Sequence, residues 1–178
     1  MISFSRNRWL IVALGHYLTL FFVSQMNFYL SASGIQFFVL GMLISFSALE
    51  LSLKQGMLSL APIAFYLDSR SPLPFGFTLV LSLILCTIAH LLRSKVRREV
   101  STSAMATTII LNIVSYGVYT VGAAKYLGAE AIHFWPVVLN LFASTFVVII
   151  INKIFFDTHT GVLAIFGINL AEEQREPL

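Results

Sequence analysis

Charged residues divide this chain into long apolar runs. Residues 9–49 contain no Asp, Glu, Lys or Arg. A helix needs about 20 mostly apolar residues to cross a hydrocarbon layer. This run is too long for one crossing and about right for two. Asn, Ser and Gly cluster over 27–34 and signal a turn. The pattern therefore predicts a first span over 9–29 and a second over 35–53, ended by Glu50 and Lys54. A shorter apolar segment over 56–67 follows. Asp68 and Arg70 close it, and the run Ser71-Pro72-Leu73-Pro74 breaks any helix. A fourth span is expected over 75–92, ended by Arg93, Lys95, Arg97 and Arg98. A fifth covers 103–124, before Lys125. A sixth covers 135–156, with Pro136 suited to its first turn. Residues 157–178 read as a cytoplasmic tail, apolar over 161–170 and polar at its end. The expected fold is an all-α integral membrane protein. It is a bundle of about six transmembrane helices with a short third span, forming one transmembrane domain over 1–178.

Composition agrees with this pattern. Of 178 residues, 58% are hydrophobic and 11% charged, with a mean hydropathy of +0.88. A soluble domain has about 45–50% apolar and about 25% charged residues. A core of this size does not hide such a surplus, because a small domain leaves about a third of its unfolded surface exposed. Disorder needs low hydrophobicity and high charge, and so is excluded as well. Arg6 and Arg8 resemble the basic start of a signal peptide, but the apolar run after them is longer than a signal core. It is expected to remain as a span.

The basic residues orient the spans. With the N-terminus inside, the inner segments hold Arg6, Arg8, Lys54, Arg93, Lys95, Arg97, Arg98, Lys153 and Arg175. The outer segments hold Arg70 and Lys125. This nine-to-two bias follows the positive-inside rule. If the short third segment did not cross, the bias would weaken. Both termini are therefore expected in the cytoplasm. The net charge of +3 is accounted for by topology, and no nucleic-acid partner is expected.

Candidate chemistry is sparse. Glu50 and Lys54 are spaced to pair one turn apart at an interface. The carboxylates lie at span ends or in the tails, and none sits mid-membrane to form an acid–base dyad. There is no H-E-x-x-H, no G-x-S-x-G and no glycine-rich phosphate loop. His16 and His90 lie in or near spans and are expected to bond neighbouring helices, while His133 and His159 lie at span ends. Asn112, Asn140 and Asn152 read as hydrogen-bonding glue between helices. Ser115, Gly117, Gly122 and Ala123 give the fifth span a small-residue face. Cys86 reads as a small hydrophobe. No metal, cofactor or enzymatic activity is expected.

One stretch carries a resemblance. A short apolar segment ends in Leu67-Asp68. Then come Ser69-Arg70-Ser71-Pro72-Leu73-Pro74-Phe75-Gly76, an apolar span, and the basic run Arg93, Lys95, Arg97, Arg98. This resembles the rod shape-determining MreD family of bacteria, on Asp68, Ser71, Pro72, Gly76 and the basic cytoplasmic loop. Arg70 stands in the region where that family has Gly, and Pro74-Phe75 separates Leu73 from Gly76. The resemblance implies a non-enzymatic, multi-pass scaffold of the bacterial inner membrane. It would bind an MreC-like bitopic protein and other elongation-complex membrane proteins, and link cytoplasmic MreB to peptidoglycan synthesis. The residues also make physical sense alone. Two prolines stiffen a tight turn, Asp68 can cap backbone N–H groups after it, and Gly76 would let the next helix start close to its neighbour. The alternative is a six-span substrate-binding subunit of an energy-coupling-factor vitamin importer. It would need a polar pocket, to which His16, Asn27, Gln36, Tyr116 and Tyr119 could contribute.

Overall fold

The computed structural model describes residues 7–96, 102–128, 130 and 133–168. The expected helical class holds. The elements are α1 (Arg8–Leu30), α2 (Leu40–Glu50), α3 (Leu53–Asp68), α4 (Phe77–Val96), α5 (Thr102–Leu127) and α6 (Phe134–Ile165). Among the described residues there is no strand. Three segments are long and apolar enough to cross a membrane: Arg8–Ser33, Ala104–Leu127 and Phe134–Ile165. The first turn falls where Asn, Ser and Gly cluster. A single 3-10 turn over Ser31–Ser33 ends at Gly34, whose φ of 72° is left-handed.

The helices alternate in direction. At one end the Arg8 side chain bonds Gln55, and Arg93 Nη1 donates to the Leu51 carbonyl at 2.8 Å. These contacts gather the start of α1, the end of α2, the start of α3 and the end of α4. At the other end the Gln36 N–H donates to Asn140 Oδ1 at 3.0 Å, and Tyr116 OH donates to the Val137 carbonyl at 3.2 Å.

The centre of the bundle is α2. Every residue from Leu40 to Leu49 is buried, and Phe46, Met42, Leu43 and Ile44 have no exposed surface. An apolar surface all round a helix marks complete burial. The longer helices α1 and α6 instead turn large apolar side chains outward, among them Phe22, Phe142 and Phe146. That distribution suits a hydrocarbon solvent. Close approach of α2 to α5 depends on Gly41. A Cβ there would lie 2.1 Å from the Asn112 backbone nitrogen.

Two expected boundaries are corrected. The segment 35–53 is not one helix. Residues 35–39 are non-helical, and α2 has 11 residues, about 16 Å at about 1.5 Å per residue. Leu51 and Ser52 then adopt extended ψ angles of 165° and 153°. The helix thus breaks between Glu50 and Lys54, which lie on different elements and not one turn apart. The sixth helix runs through 157–165, which the sequence reading assigned to the tail. It stops at Gly167, where φ is 74°. There the Ile168 N–H donates to the Leu163 carbonyl at 3.0 Å and Ile168 is buried, a glycine-terminated helix end sealed by an apolar contact. The apolar, helix-compatible run 161–166 carries the helix onward until that glycine. Residues 169–178 lie outside the described residues.

Candidate functional site

Asp68, the last residue of α3, is 4% exposed. Its Oδ2 accepts the Gly76 N–H at 2.9 Å and its Oδ1 accepts the Thr78 N–H at 2.8 Å. These donors stand at the start of α4, where a helix has no internal acceptors for them. A carboxylate there is also favoured by the helix dipole. The intervening turn is closed by three further bonds. The Ser71 N–H donates to the Asp68 carbonyl at 3.3 Å, the Leu73 N–H to Ser71 Oγ at 3.0 Å, and the Phe77 N–H to the Pro74 carbonyl at 3.0 Å. Asp68, Ser71 and Gly76 therefore act as one unit, with Pro72 exposed between them.

The expected role of Gly76 is corrected. A Cβ at this position would meet nothing within 4 Å, so close packing does not select glycine. Its φ of 94° does, because an L side chain is disfavoured there. Close packing at this end falls instead to Gly122 on α5, where a Cβ would sit 3.1 Å from both Leu73 and Phe77. Gly117, from the same small-residue face, meets nothing. The outer surface of the turn carries Phe75, 71% exposed, stacked on Phe65 at 5.5 Å between ring centroids.

A second polar arrangement holds the non-helical stretch before α2. Three consecutive residues have all their backbone groups paired by side chains from other helices. For Gln36, the N–H goes to Asn140 and the carbonyl accepts from Ser144. For Phe37, the N–H goes to Asn27 Oδ1 at 2.7 Å and the carbonyl accepts from Asn27 Nδ2 at 2.9 Å. For Phe38, the N–H goes to Ser144 Oγ at 2.9 Å and the carbonyl accepts from Asn112 Nδ2 at 2.9 Å. Asn112 Oδ1 then accepts the Gly41 N–H at 3.1 Å, capping α2 from α5. Non-helical backbone that enters a bundle needs such partners, and here Phe37 and Phe38 are half-buried while Gln36 is exposed. Two of the expected asparagines, Asn112 and Asn140, do bond across helices, but to backbone. Asn152 is buried on α6 and its Oδ1 accepts no hydrogen bond.

Between these arrangements lies a cavity of about 340 Å³, lined by Asn27, Gln36, Arg70, Tyr116, Tyr119 and Asn140 among others. The fold thus brings together four of the five residues weighed for a ligand pocket. His16 lies elsewhere.

His16 is fully buried and His159 is 8% exposed. His16 Nδ1 lies 3.3 Å from His159 Nε2, and His16 Nε2 lies 2.9 Å from Ser47 Oγ. Ser47 Oγ lies 3.0 Å from Ser59 Oγ, which donates to the Gly56 carbonyl at 2.8 Å. At the other end His159 Nδ1 lies 2.9 Å from the Phe155 carbonyl. One polar chain thus joins α6, α1, α2 and α3. Glycines make room for it. A Cβ at Gly15 would lie 2.6 Å from His159 Nε2, and one at Gly56 would lie 2.6 Å from the Ser47 carbonyl. The expectation that His16 bonds a neighbouring helix holds, and His90 likewise bonds the Ala48 carbonyl at 3.0 Å. Pairing with His159 had no sequence signal, because the two histidines are 143 residues apart.

Of the basic loop, Arg93 closes the α2 end through Leu51. Lys95 lies on α4, and Arg97 and Arg98 lie outside the described residues. Comparison with protein-family models, curated proteins and solved structures gives no match.

Proposed function

We propose that this chain is a non-enzymatic scaffold of the bacterial cell-elongation machinery, an MreD-like protein of the inner membrane. The observation that carries this reading is the buried Asp68 carboxylate clamped to the Gly76 and Thr78 N–H groups. Asp68, Ser71 and Gly76, three of the residues behind the family resemblance, form one hydrogen-bonded unit in which backbone N–H groups engage both carboxylate oxygens. Its exposed surface, with Phe75 stacked on Phe65 and Pro72 exposed in the same turn, offers an apolar platform to the membrane-spanning or juxtamembrane part of an MreC-like bitopic partner.

Six crossings are part of the same proposal. Residues 35–39 lead non-helically into α2, a half-helix of about 16 Å. A full crossing needs about 30 Å, so in this proposal the pinned lead-in and the half-helix share the second crossing. Both termini then lie in the cytoplasm. Arg8, Lys54 and Arg93, at one end of the bundle, face the anionic inner leaflet.

Depletion in a rod-shaped host tests the proposal. Loss of rod shape, with recovery of an MreC-like protein on mild-detergent purification, is the expected result. Cells that keep their shape would overturn it.

A second reading, the vitamin-binding importer subunit, draws support from the cavity of about 340 Å³, within the size range of small-ligand sites. Against it, Asn27, Asn140 and Tyr116 are already committed to backbone partners. A small molecule released when purified protein is denatured would favour this second reading.

A further inference from the structure

The polar chain through the histidines ends in a backbone carbonyl at each side, Phe155 at one and Gly56 at the other. A carbonyl only accepts. That fixes the direction of every bond in between. At the Phe155 end His159 must carry its hydrogen on Nδ1, which leaves a lone pair on Nε2 when the ring is neutral. At the Gly56 end Ser59 donates to the carbonyl, so Ser47 donates to Ser59 and His16 Nε2 donates to Ser47. A neutral His16 is then left with a lone pair on Nδ1. The two lone pairs face one another across the His16–His159 contact.

The same conclusion follows from counting. Phe155–His159, His159–His16, His16–Ser47, Ser47–Ser59 and Ser59–Gly56 are five contacts, and each needs one hydrogen. Two neutral imidazoles and two hydroxyls supply four. The missing hydrogen belongs at the longest link. That link is the 3.3 Å histidine contact, against 2.8 to 3.0 Å for the other four.

We propose that His16 Nδ1 and His159 Nε2 form a binding site for a single proton, which completes the chain and latches α1 to α6. The proton comes from solution and returns to it unchanged. The surroundings leave this role to the two rings. Besides these two rings α1 carries Arg8, Tyr17 and Tyr29, and α6 carries Lys153 and Asp157, none of which bonds either imidazole. Around them α2 presents Ser47 and Phe46, α3 presents Ser59, α6 presents Phe155, and Cys86 of α4 lies behind Gly56. Among the described residues, no carboxylate or other cation bonds either ring. A largely apolar groove of about 520 Å³ between α1 and α6, with Gly15 and Thr158 among its lining, reaches His159.

The test uses the full-length protein in lipid nanodiscs, with histidine nitrogens labelled for NMR. Each imidazole nitrogen reports directly whether it carries a hydrogen. His16 Nδ1 and His159 Nε2 are expected to change together at one midpoint, with one proton taken up for the pair. Ser59→Ala removes the far acceptor, leaving three contacts and three hydrogens in the neutral chain. Its midpoint is expected to fall by about one pH unit, a tenfold loss of proton affinity. Should Ser59→Ala fail to fold, Ser47→Ala breaks the same directional constraint and carries the same expectation. Separate midpoints for the two rings would overturn the site, as would no uptake throughout the pH range in which the protein stays folded. An unchanged midpoint in the serine variant would overturn it too.

Discussion

At Asp68 two carboxylate oxygens accept two backbone N–H groups of the following helix. Hydrogen bonds to a charged group contribute about 1.5–3 kcal/mol each, and a buried donor left unpaired costs about 1–3 kcal/mol. Asp68→Ala is expected to lower stability by about 2–4 kcal/mol, read by unfolding in mixed detergent micelles. Asp68→Asn retains one acceptor oxygen and should fall between the two. Glycines separate by mechanism. Gly76→Ala meets free space but an adverse φ of 94°, which costs about 1–2 kcal/mol. Gly41→Ala drives a methyl into the α5 backbone, 2.1 Å from the Asn112 nitrogen. It should cost more than Gly76→Ala in the same unfolding assay. Equal losses would contradict the close approach of α2 to α5. The signals at these two glycines were unequal in the sequence. Gly76 stood beside Asp68 and two prolines in one readable turn, whereas Gly41 sat within an apolar run like any other.

At the scale of elements, α2 is a short helix whose lead-in has no regular backbone partners. Its position depends on side chains from α1, α5 and α6. Asn112 is the single residue that bonds both the Phe38 carbonyl and the Gly41 N–H. Asn112→Ala should therefore speed hydrogen exchange of amides over 36–43 by about tenfold or more, with α4 little changed. Uniform loosening of every helix would show instead that Asn112 stabilises the bundle as a whole. The helix ends followed local rules where local signals existed. Gly34 stopped the first helical segment and Gly167 the last. The break before α3 had no such marker, since Leu51-Ser52 is not a strong breaker pair. That is why 35–53 read as one span and Glu50 with Lys54 as one pair.

For the whole molecule, alternation of the helices places Asp68 and Lys54 at opposite ends of α3. In the proposed orientation Ser69 faces the outside and Lys54 the cytoplasm, and both are exposed. Ser69→Cys should react with a membrane-impermeant thiol reagent in intact spheroplasts, and Lys54→Cys only after permeabilisation. The native Cys86 is buried and adds little background. Reversed labelling would overturn the orientation, and labelling of both from outside would overturn the crossing of α3.

The sequence by itself determined that the chain is helical, that lipid is a fitting solvent, and roughly where five of the six helices lie. The reason is that charge is costly in hydrocarbon, so the few charged residues and turn formers mark helix ends locally. Tertiary structure alone decided which apolar segment became the centre. Hydrocarbon and protein interior are equally apolar, so hydropathy does not separate α6, with its many exposed apolar side chains, from α2, whose residues Leu40 to Leu49 are all buried. It alone also decided what the buried polar residues meet. Asn112, Asn140 and Ser144 took their partners from a backbone stretch more than 70 residues away in each case. His16 met His159 across 143 residues. Such pairings depend on how helices are placed side by side, which local patterns of polarity do not encode.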